Sequence, residues 1–176
     1  MGADIVSIRP ADVTGATSLG EKLLALNNSN ALALSWLEPA RLGHLMAQAF
    51  FAGRVGEADG LLIAFDQDAD YDSPNFLWFR SRYARFVYVD RVAVAPAARG
   101  QGIARRLYLE LFRQAEQRGH DKILCEINEI PPNPESDLFH AALGFTQIGS
   151  GSIHGGEKQV RYMAHYLDIC GSVSRS

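Results

Sequence analysis

A chain of 176 residues with a net charge of −3 is long enough to bury one full hydrophobic core. The near-neutral balance lacks the basic excess of a nucleic-acid-binding surface, and two cysteines, Cys125 and Cys170, are too few for a disulfide framework. No apolar run reaches membrane-spanning length and the N-terminus lacks a signal-peptide pattern. The expectation is therefore a single cytoplasmic domain over residues 1–170 with a frayed tail at 171–176 and neither a membrane nor a nucleic acid as partner.

The pattern predicts an edge strand over Ile5–Arg9, ended by Pro10. A helix follows over Leu19–Leu26, stopped by Asn27-Asn28-Ser29-Asn30. Pro39 suits the first turn of the next helix, with Leu42, Leu45, Met46 and Ala49 as its apolar stripe. Arg54–Ala58 and Gly60–Asp66 read as strands joined at Asp59-Gly60, a hairpin signal. Asp66–Arg85 is long, polar and dotted with aromatics, a functional loop or one with a short helix of its own. Phe86–Ala95 is apolar on both faces and reads as a central strand in which Asp90-Arg91 is an interruption. Gly102–Arg118 is an amphipathic helix on Ile103, Leu107, Leu111 and Ala115, widened by Leu109 and Phe112 and closed by Gly119. His120 then lies past the helix end, where exposure is expected. Lys122–Asn128 is the next strand, with Cys125 buried in it. Two prolines, Pro131 and Pro132, hold the chain extended before a short helix at Ser136–Leu143. Phe145–Ile148 and Gln159–Leu167 close the sheet as a hairpin.

Val92 to Ala104 joins a strand to a helix through a basic, glycine-rich turn, the geometry of a diphosphate cradle. Glycines bring the backbone close to an anion, the first helical N–H groups point at it, and Arg99, Arg105 and Arg106 add positive charge. No Gly-Lys-Ser/Thr closes the loop, which excludes a Walker A site, and Gly100-Gln101-Gly102 lacks the third glycine of a dinucleotide turn. Arg99-Gly100-Gln101-Gly102-Ile103-Ala104, preceded by Val94-Ala95-Pro96, resembles motif A of the GNAT superfamily of N-acyltransferases. Asn133 followed by a short helix ending in Leu143-Gly144-Phe145 resembles its motif B. The resemblance covers residues 86 to about 149, and it implies the α/β GNAT fold: a mixed sheet of about seven strands flanked by about four helices.

It also implies acetyl transfer from acetyl-coenzyme A, as co-substrate, to a primary amine of a small molecule or peptide, by direct attack and with no metal. Arg99, Gly100, Gln101, Gly102, Ile103 and Ala104 would hold the pyrophosphate, and Asn133 and Phe139 the cofactor's arm. Backbone N–H groups at Val92, Ala93 and Val94 would stabilise the oxyanion. Asp90 and Glu126, mid-strand among apolar neighbours, are the candidate bases, each alternatively a partner in a structural ion pair such as Asp90 with Arg91. His140 stands where many family members carry a tyrosine acid for the thiolate; an imidazolium with a pKa of about 6.5 suits that task. If His140 is inert, Tyr88, Tyr162, Tyr166 or solvent remains. Asn28 and Tyr71 are the candidate acceptor contacts, and the fold allows a homodimer through its edge strands. An inactive acyl-coenzyme A sensor and a protein N-terminal or lysine acetyltransferase share these motifs and stay open. No histidine spacing suggests a metal site.

Overall fold

The computed structural model describes residues 3–15 and 17–168; Cys170 and the tail expected to fray lie outside them. In chain order the elements are β1 (Ile5–Ser7), α1 (Pro10–Val13), α2 (Ser18–Asn28), α3 (Ala31–Leu34), α4 (Pro39–Gln48), β2 (Phe51–Val55) and β3 (Gly60–Asp66). There follow α5 (Pro74–Arg80), β4 (Val87–Val94), α6 (Ile103–Gln117), β5 (Lys122–Ile130), α7 (Pro134–Ala142), β6 (Thr146–Ile153) and β7 (Lys158–Tyr166). The seven strands form a mixed sheet in the order β1-β2-β3-β4-β5-β7-β6, as expected. The helices outnumber the expected four, because α1, α3 and α5 are only four to seven residues long and leave little periodicity to read. None of the described helices is long and apolar enough to cross a membrane.

The chain divides into two compact units. One comprises the residues up to Tyr71 with Val89–Leu111, and the other Asp72–Tyr88 with the residues from Phe112 on. In the first, β1, β2 and β3 pair antiparallel. Leu61 to Phe65 of β3 are fully buried, which accounts for an uninterrupted apolar run in place of an alternation. The strand expected at Arg54–Ala58 instead begins at Phe51 and ends at Val55. Gly56 takes a left-handed φ of 60°, and the chain turns through Asp59, whose N–H returns to the Val55 carbonyl at 3.0 Å. Gly60 leaves room for the start of α6: a Cβ there would lie 2.3 Å from Ile103 Cγ2. Ile103, Leu107 and Leu111 are buried, whereas Leu109, expected in that stripe, is 42 % exposed and Tyr108 is buried in its place.

In the second unit, β5 and β7 pair antiparallel from Lys122↔Tyr166 to Ile130↔Gln159, and β7 pairs with β6. The parallel pairing of β4 with β5 runs over Val87↔Ile123 and Tyr88↔Leu124. The long loop after β3 does carry a helix, α5, whose Phe76 and Phe79 pack with Phe86 and Tyr88 at centroid distances of 5.7–6.4 Å. Trp78 stacks on Tyr162 at 4.0 Å. Gly149 and Gly151 of β6 make that stack fit, since a Cβ at either would lie within 3 Å of the Trp78 or Tyr162 ring. His120, expected to be exposed, is 3 % exposed: its N–H bonds the Ala115 carbonyl at 2.9 Å, folding the chain back over the end of α6. Pro131-Pro132 form a turn, with the Ile130–Pro131 bond cis, in place of the extended segment expected.

Candidate active site

The segment from β4 to α6 has the geometry of an anion cradle. A 3₁₀ turn at Pro96–Ala98 follows β4, and Ala95 is tied by its N–H to the Asp59 carbonyl at 2.9 Å, which fixes where the turn starts. Gly100 and Gly102 take φ values of 75° and 71°, and no atom lies within 4 Å of where a Cβ would stand on either. The left-handed backbone is what demands glycine, and the open space beside it suits a phosphate. Arg99, Gly100, Gln101 and Gly102 are exposed. The first ladder bond of α6 runs from Arg106 N–H to the Gly102 carbonyl at 3.0 Å, so the N–H groups of Ile103 and Ala104 precede it at the positive end of the helix dipole. The residues therefore fit a diphosphate. Arg106 bonds the Ala3 carbonyl and is a tether as well as a charge.

On β4, Asp90 and Arg91 form an ion pair whose side chains are 6 % and 7 % exposed, with Arg91 Nε donating to Asp90 Oδ2 at 2.6 Å. It is a buried pair, not one at a surface edge. Tyr71 Oη donates to Asp90 Oδ1 at 2.6 Å, so both carboxylate oxygens are engaged. Arg91 Nη1 donates to Asn27 Oδ1 at 2.7 Å. Burial alone would lower the Arg91 pKa; the Asp90 carboxylate outweighs it and holds the guanidinium above its ordinary value. Burial first, then the Asp90 charge, pushes the Tyr71 phenol well above its usual range, so the phenol remains a donor. Its ring lies 4.7 Å from Phe65. The Tyr71 hydroxyl, expected to face an acceptor, thus serves the scaffold. Asn28 does too: its Oδ1 accepts from Leu37 N–H at 2.8 Å and from Asn27 Nδ2 at 2.9 Å, and its Nδ2 donates to the Leu37 carbonyl at 3.0 Å. Asn27 and Asn28 are the last residues of α2 and not its stop signal; the helix continues through them because both side chains find partners outside it. Val92 and Val94 are half-buried and Ala93 is buried. They lie beyond the two residues at which β4 pairs with β5.

In the second unit, Asn133 caps α7 by accepting from Ser136 N–H at 3.2 Å, and Phe139 is half-buried. His140 is 4 % exposed and sits edge-on to Phe139 and Phe145, each at 5.2 Å. Its Nδ1 lies 2.8 Å from the Ser136 carbonyl, an acceptor, so the hydrogen belongs on Nδ1 and Nε2 is the basic nitrogen. Burial lowers its pKa against the smaller pull of the Ser136 carbonyl and Asp137. Burial runs against the imidazolium donor expected from its position, whereas the Nδ1–H bond to Ser136 favours it and is the weaker effect. Glu126 of β5 stands opposite Tyr162 of β7, and burial followed by the Glu126 charge raises the Tyr162 pKa. Tyr162 Oη donates to Asn75 Oδ1 at 3.2 Å. Cys125 is buried as expected, and burial pushes its thiol up. Tyr88 is fully buried and Tyr166 is 57 % exposed. Sequence reasoning took Arg91 only as a partner for Asp90; its second partner, Asn27, lies too far away in the chain to be read locally.

Comparison with known proteins agrees with this geometry. The acetyltransferase (GNAT) family model matches residues 43–145, more than half of the chain. The chain belongs to the acetyltransferase (GNAT) family. It is similar to the phosphinothricin N-acetyltransferase of Alcaligenes faecalis, 35 % identical over 95 residues, which cover 54 % of this chain and 44 % of that protein. The match thus spans less than half the length of that relative. Among solved structures, the ribosomal-protein-S18-alanine N-acetyltransferase of Escherichia coli superposes with a TM-score of 0.65 at 16 % identity over 97 % of both chains. A GNAT superfamily phosphinothricin acetyltransferase of Sinorhizobium meliloti, solved with AcCoA, gives 0.66 at 19 % identity over 95 % of this chain and 89 % of that one. At such identities these two show a shared fold.

Proposed function

We propose that this protein transfers an acetyl group from acetyl-coenzyme A to a primary amine of a small molecule or peptide, by direct attack within a ternary complex. The observation that carries this reading is the loop from Arg99 to Ala104: two left-handed glycines with open space beside them, leading into the N-terminus of α6. In this reading the backbone N–H groups of that loop and the Arg99 guanidinium hold the diphosphate. Asn133 and Phe139 line the arm that carries the thioester. N–H groups of Val92–Val94 meet the carbonyl oxygen as it gains charge, a contribution of about 3 kcal/mol for one well-placed donor. Both oxygens of Asp90 already accept hydrogen bonds, which leaves Glu126 as the proton acceptor for the attacking amine. His140 in its neutral form supplies no proton, and the thiolate departs to solvent.

The test is thermal unfolding with and without acetyl-coenzyme A, beside Gly102→Glu, followed by an amine panel read by release of the coenzyme A thiol. At a hundredfold excess over its Kd the ligand adds about 2.7 kcal/mol of stability. A shift in wild type that Gly102→Glu abolishes, with thiol release on some amines, is the expected result. No shift at millimolar ligand would overturn the reading; a shift without turnover on any amine would make the protein an acyl-coenzyme A sensor.

A further inference from the structure

Among the described residues, Ser35 is the non-glycine with a positive φ, 66° with ψ 150°. An L-residue persists there only where its surroundings over-determine it. The surroundings are two asparagines. The Asn27 side chain is wholly buried and donates to the Ser35 carbonyl at 3.0 Å and to Asn28 Oδ1 at 2.9 Å, while its own oxygen accepts from Arg91. Asn28 engages both the N–H and the carbonyl of Leu37, much as a neighbouring strand would. Both donors of Asn27 and one of its two acceptor lone pairs are thus used, and one amide joins the Ser35 carbonyl to the guanidinium that precedes Val92. Between the two clamped residues stands Trp36, 65 % exposed, its indole N–H donating to Glu38 Oε1 at 2.8 Å. Trp36 thus presents a large aromatic face to solvent from a backbone held on both sides, and a fixed aromatic face is what ligand recognition uses.

We propose that Asn27 is a positioning residue that fixes the Ser35–Leu37 loop to Arg91 of β4, and that Trp36, held by this clamp, is a specificity-determining contact for the acceptor. The acceptor part rests on the acetyl transfer reading above; the clamp does not. Asp90 and Tyr71 complete the chain of hydrogen bonds from the loop to the strand.

The experiment uses the full chain with Trp78→Phe, which leaves Trp36 as the sole tryptophan of the two in the sequence. Asn27→Asp keeps the acceptor for Arg91 but loses the donors to Ser35 and Asn28. Asn27→Ser, smaller and neutral, guards against a folding failure of the first variant. The expected result is a loss of Trp36 fluorescence anisotropy in both, with the acetyl-coenzyme A Kd from calorimetry unchanged within about twofold. In steady-state kinetics on an accepted amine, Asn27→Asp and Trp36→Ala raise the acceptor KM about tenfold with kcat altered less, and Trp36→Phe restores it. Unchanged anisotropy in both asparagine variants overturns the clamp. An acceptor KM that Trp36→Ala does not move overturns the acceptor contact. A wild type that fails to bind acetyl-coenzyme A overturns the acetyl transfer reading and with it the acceptor contact, while the anisotropy still decides the clamp.

Discussion

The two mid-strand carboxylates of this protein live in opposite settings. Asp90 has a guanidinium on one oxygen and a phenol on the other, both at 2.6 Å, inside a buried chain of hydrogen bonds that reaches Asn27. Glu126 faces a tyrosine across a strand pair and makes itself felt through its charge, which raises the Tyr162 and Cys125 pKa values behind the larger effect of burial. A carboxylate committed to a cation is a poor proton acceptor, because protonating it would strand the cation. The contrast teaches that burial does not by itself mark a base: Asp90 is neutralised within a buried chain of hydrogen bonds, and Glu126 is the carboxylate that the proposed reaction would use.

The largest effect expected from this contrast is on the scaffold side. Arg91→Ala leaves Asp90 buried without its cation and destabilises by about 3–5 kcal/mol, read by denaturant unfolding. Equal stability of Arg91→Ala and wild type would erase the distinction. Next, Glu126→Gln lowers kcat about a hundredfold, or about 2.7 kcal/mol of activation free energy, with the unfolding midpoint nearly unchanged. Asp90→Asn showing the larger kcat loss at unchanged stability would reverse the two roles. Tyr71→Phe removes one charge-assisted hydrogen bond from Asp90 and costs about 1.5 kcal/mol of stability, leaving the acceptor KM alone. The smallest effect concerns His140. Its folded pKa is depressed, so the unfolded chain binds the extra proton first and stability falls as pH drops below the ordinary histidine value. Chemical unfolding of wild type between pH 7.5 and 5 should show this loss, and His140→Asn should show less of it; identical profiles would remove His140 from the account.

The glycine loop between β4 and α6 was legible in the sequence because its geometry is local. Arg99, Gly100 and Gly102 lie within four consecutive positions, and a left-handed glycine ahead of a helix carries the same meaning in any surroundings. The burial of Cys125 was readable for the same reason, within an apolar run. His140 was harder. Its place before Leu143-Gly144-Phe145 came from resemblance, but its tautomer was set by the Ser136 carbonyl and its pKa by the packing of Phe139 and Phe145. Leu109 and Tyr108 show a related failure: both are apolar enough for the stripe of α6, and only the surface against which the helix packs decides which is covered.

By itself the sequence determined the strand and helix alternation, the glycine turn ahead of α6 and the family likeness, all of which follow from residue patterns a few positions long. Tertiary structure alone decided which of two carboxylates is neutralised, why Asn27 and Asn28 end their helix without breaking it, and why Ser35 holds a glycine's conformation. The reason is range. Asn27 meets Arg91 and Tyr71 meets Asp90 across 64 and 19 positions of chain, and the energy of a charge depends on neighbours that no local pattern names.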